Sequence, residues 1–171
     1  MNSALKSWVD DVAALTKPAG INWVDGSEAE NARLIEEMLA SDPDIEGEWF
    51  QFAAVLRGAD DLIGDVAMHV LEGDPGSVEI GYSLAPAHGG HGYASEAVAA
   101  IVTYALDRRG KNEVMAWTDT RNGASIALLE RLGFALDPAS RQRTLFKGAW
   151  CDEDRYVMTA DAWRQLSRMS S

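Results

Sequence analysis

A chain of 171 residues that is 47% hydrophobic is long enough for one domain whose core removes roughly 70% of the unfolded surface from water, which argues against extended disorder. Fifteen basic against 27 acidic side chains give a formal charge of −12, so nucleic acid and anionic membranes are disfavoured as partners, while cationic ones, amines among them, are favoured. A single cysteine, Cys151, excludes an intramolecular disulfide and any multi-cysteine zinc site; with no signal-peptide pattern and no apolar run of about 18 residues, the expectation is a cytoplasmic protein without a metal.

In chain order, Leu5, Trp8, Val9, Val12, Ala13 and Leu15 recur at helical spacing until Lys17-Pro18-Ala19-Gly20 stops the run. Ser27 and Glu30 form a capping box ahead of Ala32, Leu34, Ile35, Met38 and Leu39, predicting a helix over 27–40. Nine acids against one base between Asp25 and Glu48 read as a solvated face or an amine-attracting rim. Strands follow over Trp49–Arg57, Leu62–Leu71 and Ser77–Leu84, punctuated by Gly58-Ala59-Asp60-Asp61 and Gly73-Asp74-Pro75-Gly76, which makes a three-strand antiparallel meander. A long helix is predicted from the stripe Ala94, Ala97, Val98, Ile101, Val102, Ala105 and Leu106, ending at Arg108-Arg109-Gly110. A strand over Glu113–Thr118 leads to a short helix capped by Asn122 and ended by Gly133, and a final hairpin spans 141–147 and 155–160.

The informative loop is Gly89-Gly90-His91-Gly92-Tyr93-Ala94, between a strand and a helix start. Its backbone N–H groups can converge on one anion, because three glycines remove side-chain obstruction and the first amides of a helix lack intrahelical partners. Neither common nucleotide fingerprint fits: no Gly-x-x-x-x-Gly-Lys-Ser/Thr is present, and the preceding strand belongs to a meander.

These residues resemble the GNAT superfamily of acyl-CoA-dependent N-acyltransferases, in particular its RimJ/RimL-like branch. The matching blocks are Glu48-Trp49-Phe50-Gln51, Leu62-Ile63-Gly64-Asp65, Glu79-Ile80-Gly81-Tyr82-Ser83-Leu84-Ala85-Pro86, Gly92-Tyr93-Ala94-Ser95-Glu96-Ala97, Asn122 through Ser125, Leu129-Glu130-Arg131-Leu132-Gly133-Phe134, Phe146-Lys147-Gly148-Ala149-Trp150 and Trp163. The resemblance implies an α/β (α+β) fold: a mostly antiparallel mixed sheet of six to seven strands, splayed by a bulge on the Glu79–Leu84 strand and flanked by about four helices. Residues 27–171 would be the acyltransferase domain and 1–26 an atypical N-terminal segment of the same structural unit.

The resemblance further implies acetyl-CoA as co-substrate. Gly89, Gly90, His91, Gly92, Tyr93 and Ala94 would hold its pyrophosphate, the main chains of Leu84 and Ala85 would pair with its pantetheine, and Asn122 and Ser125 would lie beside the arm. From the residues alone, Asn122 is a plain helix cap and Ser125 a first-turn polar residue. Acyl transfer needs a neutral amine and an acid for the leaving thiolate; Glu79 is the candidate base, or else an exposed strand carboxylate, and Ser125 the candidate group that protonates the thiolate or orients the thiol. The acceptor is expected to be an amine-bearing small molecule or a protein N-terminus. Departures from the family pattern are Gly89 at the head of the phosphate loop, Leu129 in place of a tyrosine acid, and Arg141, Arg143 and Thr144 where the final hairpin often offers an acidic group.

Before Ser27 the family's first strand is not recognisable. Trp8-Val9, Leu15-Thr16-Lys17-Pro18 and Trp23-Val24-Asp25-Gly26-Ser27-Glu28 resemble instead the N-terminal segment of GTP-dependent phosphoenolpyruvate carboxykinases, whose nucleotide loop and metal site are absent. Ile21 to Val24 is the candidate replacement strand; an uncovered edge would favour a partner chain or homodimer. His88 and His91 flank the loop as pyrophosphate donors or solvated side chains, His69 reads as a packed or surface strand residue, Cys151 as an ordinary surface thiol, and the tryptophans as core and rim packing. The competing function is a catalytically silent CoA-binding or interaction module.

Overall fold

Alternating burial along runs of β-branched and aromatic residues produces six strands. The computed structural model describes residues 45–56, 61–146 and 148–169, all within the compact unit Pro43–Ser171. The helices expected before residue 41 and the candidate strand Ile21–Val24 lie outside the described residues. Strands β1 (Trp49–Leu56), β2 (Asp61–Leu71), β3 (Asp74–Leu84), β4 (Glu113–Asp119), β5 (Ala135–Phe146) and β6 (Ala149–Thr159) form one sheet in the order β1-β2-β3-β4-β6-β5. All neighbouring pairs are antiparallel except β3 and β4, which run parallel. Helices α1 (Tyr93–Thr103), α2 (Gly123–Arg131) and α3 (Ala160–Met169) accompany the sheet. The expected mixed, mostly antiparallel sheet is therefore present.

Every second residue of the central strands enters the core: Val66, Met68 and Val70 from β2, Val78 and Ile80 from β3, Val114 and Ala116 from β4. Helix α1 covers this layer with Val98, Ile101 and Val102, and α2 adds Leu128 and Leu129. The long helix expected through Arg108 keeps its α-geometry only to Thr103, whose hydroxyl donates back to the Ala99 carbonyl at 2.8 Å. Tyr104–Arg108 then form a π-turn, closed by the Arg109 amide donating to the Tyr104 carbonyl at 3.0 Å. The wider turn leaves Ala105 and Leu106 buried.

Two boundaries and one element differ from the sequence-based expectation. Strand β3 starts at Asp74 rather than Ser77, because the turn contracts to Glu72-Gly73, with Gly73 at φ +76°. The final hairpin turns at Gly148, φ +79°, so that Phe146 pairs with Ala149 and residues 149–154, expected as loop, are strand. Cys151 is accordingly no surface thiol: it is buried, with its Sγ donating to the Thr144 carbonyl at 3.5 Å, and burial pushes its pKa up. Helix α3 was unanticipated. The Thr159 hydroxyl accepts from the Ala162 amide at 3.3 Å at its start, and its Leu166 lies over Gly133, where an added Cβ would sit 2.5 Å from Leu166 Cδ1.

Candidate active site

Strands β3 and β4 pair over three rows only: Ser77 with Glu113, Val78 with Val114 and Glu79 with Met115. Beyond Glu79 each keeps its other neighbour, β3 pairing with β2 as far as Leu84 and β4 with β6 as far as Asp119. The two therefore part, as expected, but not through a bulge in Glu79–Leu84. Register with β2 runs unbroken from Gly64–Leu84 to Val70–Val78 and slips only between Val70 and Leu71. The opening arises because β4 follows β6 away from β3, with no extra residue inserted.

Antiparallel alternation decides which main-chain groups face this gap. The Ala85 amide donates to the Ile63 carbonyl at 2.8 Å, and the Ala85 carbonyl accepts from the His88 amide at 2.9 Å. Ile63 and Ala85 thus form a hydrogen-bonded pair, Gly64 and Leu84 a non-bonded one, and Leu84 and Tyr82 turn their N–H and C=O groups away from β2. Of the two residues expected to offer main chain to pantetheine, Leu84 has its groups free for it, whereas both of Ala85's are engaged.

At the end of β3 the chain makes a 3-10 turn, Pro86–His88. The Gly89 amide closes that turn on the Pro86 carbonyl at 3.1 Å, so Gly89 does not join the expected cradle. Gly90 and Gly92 adopt φ +80° and +84°, conformations that cost most other residues. Gly92 caps α1, whose first bond runs from the Glu96 amide to the Gly92 carbonyl at 3.0 Å. The amides of Tyr93, Ala94 and Ser95 precede that bond and lack intrahelical acceptors; those of Gly90, His91 and Gly92 have no backbone acceptor among the described residues. The run of free amides is therefore 90–95, one residue later than expected. The His91 side chain turns back on its own loop, with Nδ1 2.9 Å from the Gly89 carbonyl oxygen and the ring stacked on Tyr93 at 5.5 Å.

Across the gap, Asn122 Oδ1 accepts from the Ser125 amide at 3.1 Å and so caps α2. Ser125 Oγ is 2.7 Å from the Tyr82 hydroxyl, a bond from α2 to β3. Leu84, Gly90, Gly92, Asn122, Ser125 and Arg131 line one cavity of about 530 Å³, a size suited to small-molecule and cofactor ligands. Tyr82 and Arg131 were not singled out from the sequence; their only signal was membership of matching blocks.

Glu79 occupies the opposite face of β3 from Tyr82. It stands in a row, Trp49–His69–Glu79, that crosses three strands. The His69 ring stacks on Trp49 at 4.9 Å, and its Nδ1, buried without a hydrogen-bond partner, lies 4.0 Å from Glu79 Oε2. Burial pushes the Glu79 carboxyl above its usual range, His69 pulls it back, and Glu153 on β6 pushes it up again. Such a carboxylate is better matched to taking a proton near neutrality than an exposed one. The sequence shows no partner for His69; counting outward from the observed Glu72-Gly73 turn would set it opposite Gly76, and the slip beside Leu71 brings it opposite Glu79 instead. Glu153 was overlooked because its segment was expected to be loop. Arg141 is engaged by Asp154 at 2.8 and 2.7 Å, and Arg143 lies over the Trp150 ring at 5.6 Å.

Residues 4–135 match the family model described as "Acetyltransferase (GNAT) domain". The chain is 30% identical over 126 residues to the "Uncharacterized N-acetyltransferase p20" of Bacillus licheniformis, covering 74% of this chain and 70% of that protein. It spans 56 to 70% of the length of p20 and three similar curated N-acetyltransferases. Among solved structures, the ribosomal-protein-S5-alanine acetyltransferase of Vibrio fischeri superposes with a TM-score of 0.62 at 23% identity, over 77% of this chain and 69% of that one. Mutant forms of the spermidine/spermine N-acetyltransferase SpeG of Vibrio cholerae give 0.64 at 16% identity, over 95% of each chain. At these identities the structural likeness is one of fold. The second resemblance is confined to a short stretch: 58% identity over 40 residues to the GTP-dependent phosphoenolpyruvate carboxykinase of Renibacterium salmoninarum, 7% of that enzyme. The family match covers well over half of the sequence and agrees with the parted sheet, so this chain belongs to the GNAT family and is an acyl-CoA-dependent N-acetyltransferase.

Proposed function

We propose that this enzyme transfers an acetyl group from acetyl-CoA to a primary amine, a small amine or the N-terminal α-amine of a protein, directly in a ternary complex, in the manner of the RimJ/RimL-like branch. Residues 27–171 form its catalytic domain and 1–26 an atypical N-terminal segment of the same unit, and it works in the cytoplasm. One observation carries the reading: the gap between β3 and β4 has free main-chain groups of Leu84 on one side, free amides from Gly90 to Ser95 at its end, and Ser125 across it.

The amides hold the pyrophosphate at the start of α1, where the helix dipole also favours an anion. Arg131 supplies a positive charge in the same cavity, Asn122 lies beside the arm, and Leu84 pairs with pantetheine as an added strand does. Acetyl-CoA brings an activated acyl thioester; the protein's residues manage the protons. Glu79, directly or through water, takes one from the amine as its nitrogen bonds to the acyl carbon. Ser125 Oγ–H gives one to the sulfur as the carbon–sulfur bond breaks.

Neutralising an α-amine of pKa about 8 costs about 1 kcal/mol at pH 7, against about 4 to 5 for a lysine-like amine near 10.4, at 1.36 kcal/mol per unit. An α-amine is thus the easier acceptor, while the chain's charge of −12 attracts cationic acceptors of either kind. The solved relatives named for a ribosomal protein's alanine and for spermidine/spermine stand for these two classes. Calorimetric titration with CoA, followed by a thiol-release assay on a panel of peptide α-amines and polyamines, tests the reading. Binding with amine-dependent release supports it. Binding without release from any amine leaves a silent CoA-binding module, and no binding removes both.

A further inference from the structure

We propose that Tyr82 is a positioning residue for the acid step: its hydroxyl, 2.7 Å from Ser125 Oγ across the gap, holds Ser125 in place and resupplies the proton that Ser125 gives to the departing sulfur. This rests on the reading of Ser125 as the acid. The family's usual tyrosine position holds Leu129, which is fully buried and carries no proton. Tyr82 reaches the same cavity from the other wall, on β3, 43 residues earlier in the chain.

The proton count balances. The Ser125 O–H bond breaks as S–H forms, the Tyr82 proton passes to Ser125 Oγ, and the tyrosinate takes a proton from solvent. A tyrosine is ordinarily a weaker acid than a thiol and burial weakens Tyr82 further, so the transfer is uphill, a deficit that reprotonation from solvent overcomes. Burial raises the Tyr82 pKa and the bond to Ser125 lowers it. The hydroxyl therefore holds its proton at neutral pH. Facing the same cavity are Ser125 and Arg131 from α2, Tyr93 from α1 and His88 from the preceding turn, while the β2 residue opposite Tyr82 is the uncharged Val66.

The test reads ionisation before it reads turnover. Tyrosinate absorbance of wild type minus Tyr82→Phe isolates Tyr82 from the other three tyrosines. Saturating CoA, its thiolate beside the pair, raises the Tyr82 midpoint by roughly one unit, whereas desulfo-CoA, which lacks the sulfur, leaves it in place. Equal shifts with both ligands, or none, overturn the proposal while leaving CoA binding intact; failure of CoA to bind in calorimetry overturns the parent reading as well. In turnover, Tyr82→Phe lowers kcat roughly tenfold or more with KM for acetyl-CoA within twofold. The double variant with Ser125→Ala is no slower than Ser125→Ala alone. Additive losses, or an unchanged kcat, refute the relay, and matched thermal midpoints exclude misfolding as the cause.

Discussion

Replacing Gly92 with alanine or valine isolates the backbone contribution to the anion cradle. A Cβ added there meets nothing within 4 Å, so no clash with the protein itself is created and the penalty is conformational. Holding an L-residue at φ +84° costs about 1–2 kcal/mol, and more for a β-branched side chain. That energy has two outlets. Either the loop keeps its shape and folding stability falls by that amount, or it relaxes to negative φ, stability is retained, and the amides of Gly92 and Tyr93 swing off the pyrophosphate. On the second route CoA affinity falls by a factor of about 5 to 30, from 1.36 kcal/mol per tenfold, and further if the valine methyls obstruct the ligand. Denaturant unfolding and calorimetric titration on the same samples separate the two outlets. His91→Ala, which removes only a ring folded back on its own loop, lowers affinity less than threefold, about 0.6 kcal/mol. Gly92→Val with wild-type stability and wild-type affinity, or a large loss confined to His91→Ala, refutes a backbone-built cradle.

Glu79→Gln lowers kcat by roughly a hundredfold at pH 7 while CoA affinity is unchanged; rates that stay at wild type up to pH 9 remove Glu79 from the mechanism. The same variant is more stable than wild type at neutral pH. Burial raises the folded-state pKa of Glu79 above its unfolded value, so the ionised carboxylate costs stability above the folded pKa, and the advantage of glutamine fades as the pH drops to the unfolded value near 4.5. Thermal melts at pH 4 and 7 check this sign. Asn122→Ala, which removes the cap on the Ser125 amide, costs about 1 kcal/mol in denaturant unfolding and weakens CoA binding; an unchanged denaturation midpoint counts against the cap. Cys151, buried against Thr144, reacts with iodoacetamide far more slowly in the folded protein than in denaturant, and equal rates contradict its placement.

Local chemistry was the legible part of this molecule. The glycine-rich loop, the Asn122 cap and the Gly133 stop depend on a few adjacent residues, and each lies where its pattern put it. What depended on phase was lost. Whether Ala85 or Leu84 faces the gap follows from which rows of the β2–β3 ladder are hydrogen-bonded, and no residue type records that. His69 meets Glu79 only because the register slips beside Leu71, and Glu153 reaches the site only because the last hairpin turns at Gly148. Helix α3 was missed although Ala160, Trp163 and Leu166 recur at helical spacing behind Thr159; the short run at the end of the chain gave too few turns to outweigh the preceding strand pattern.

The three-row contact between β3 and β4 leaves the sheet an unfinished ladder, and in the proposed reading the donor's arm would serve as the missing rungs. Donor binding there is expected to slow amide exchange at Tyr82 and Leu84, whose main-chain groups face the gap, and to complete a wall against which the acceptor would then be held.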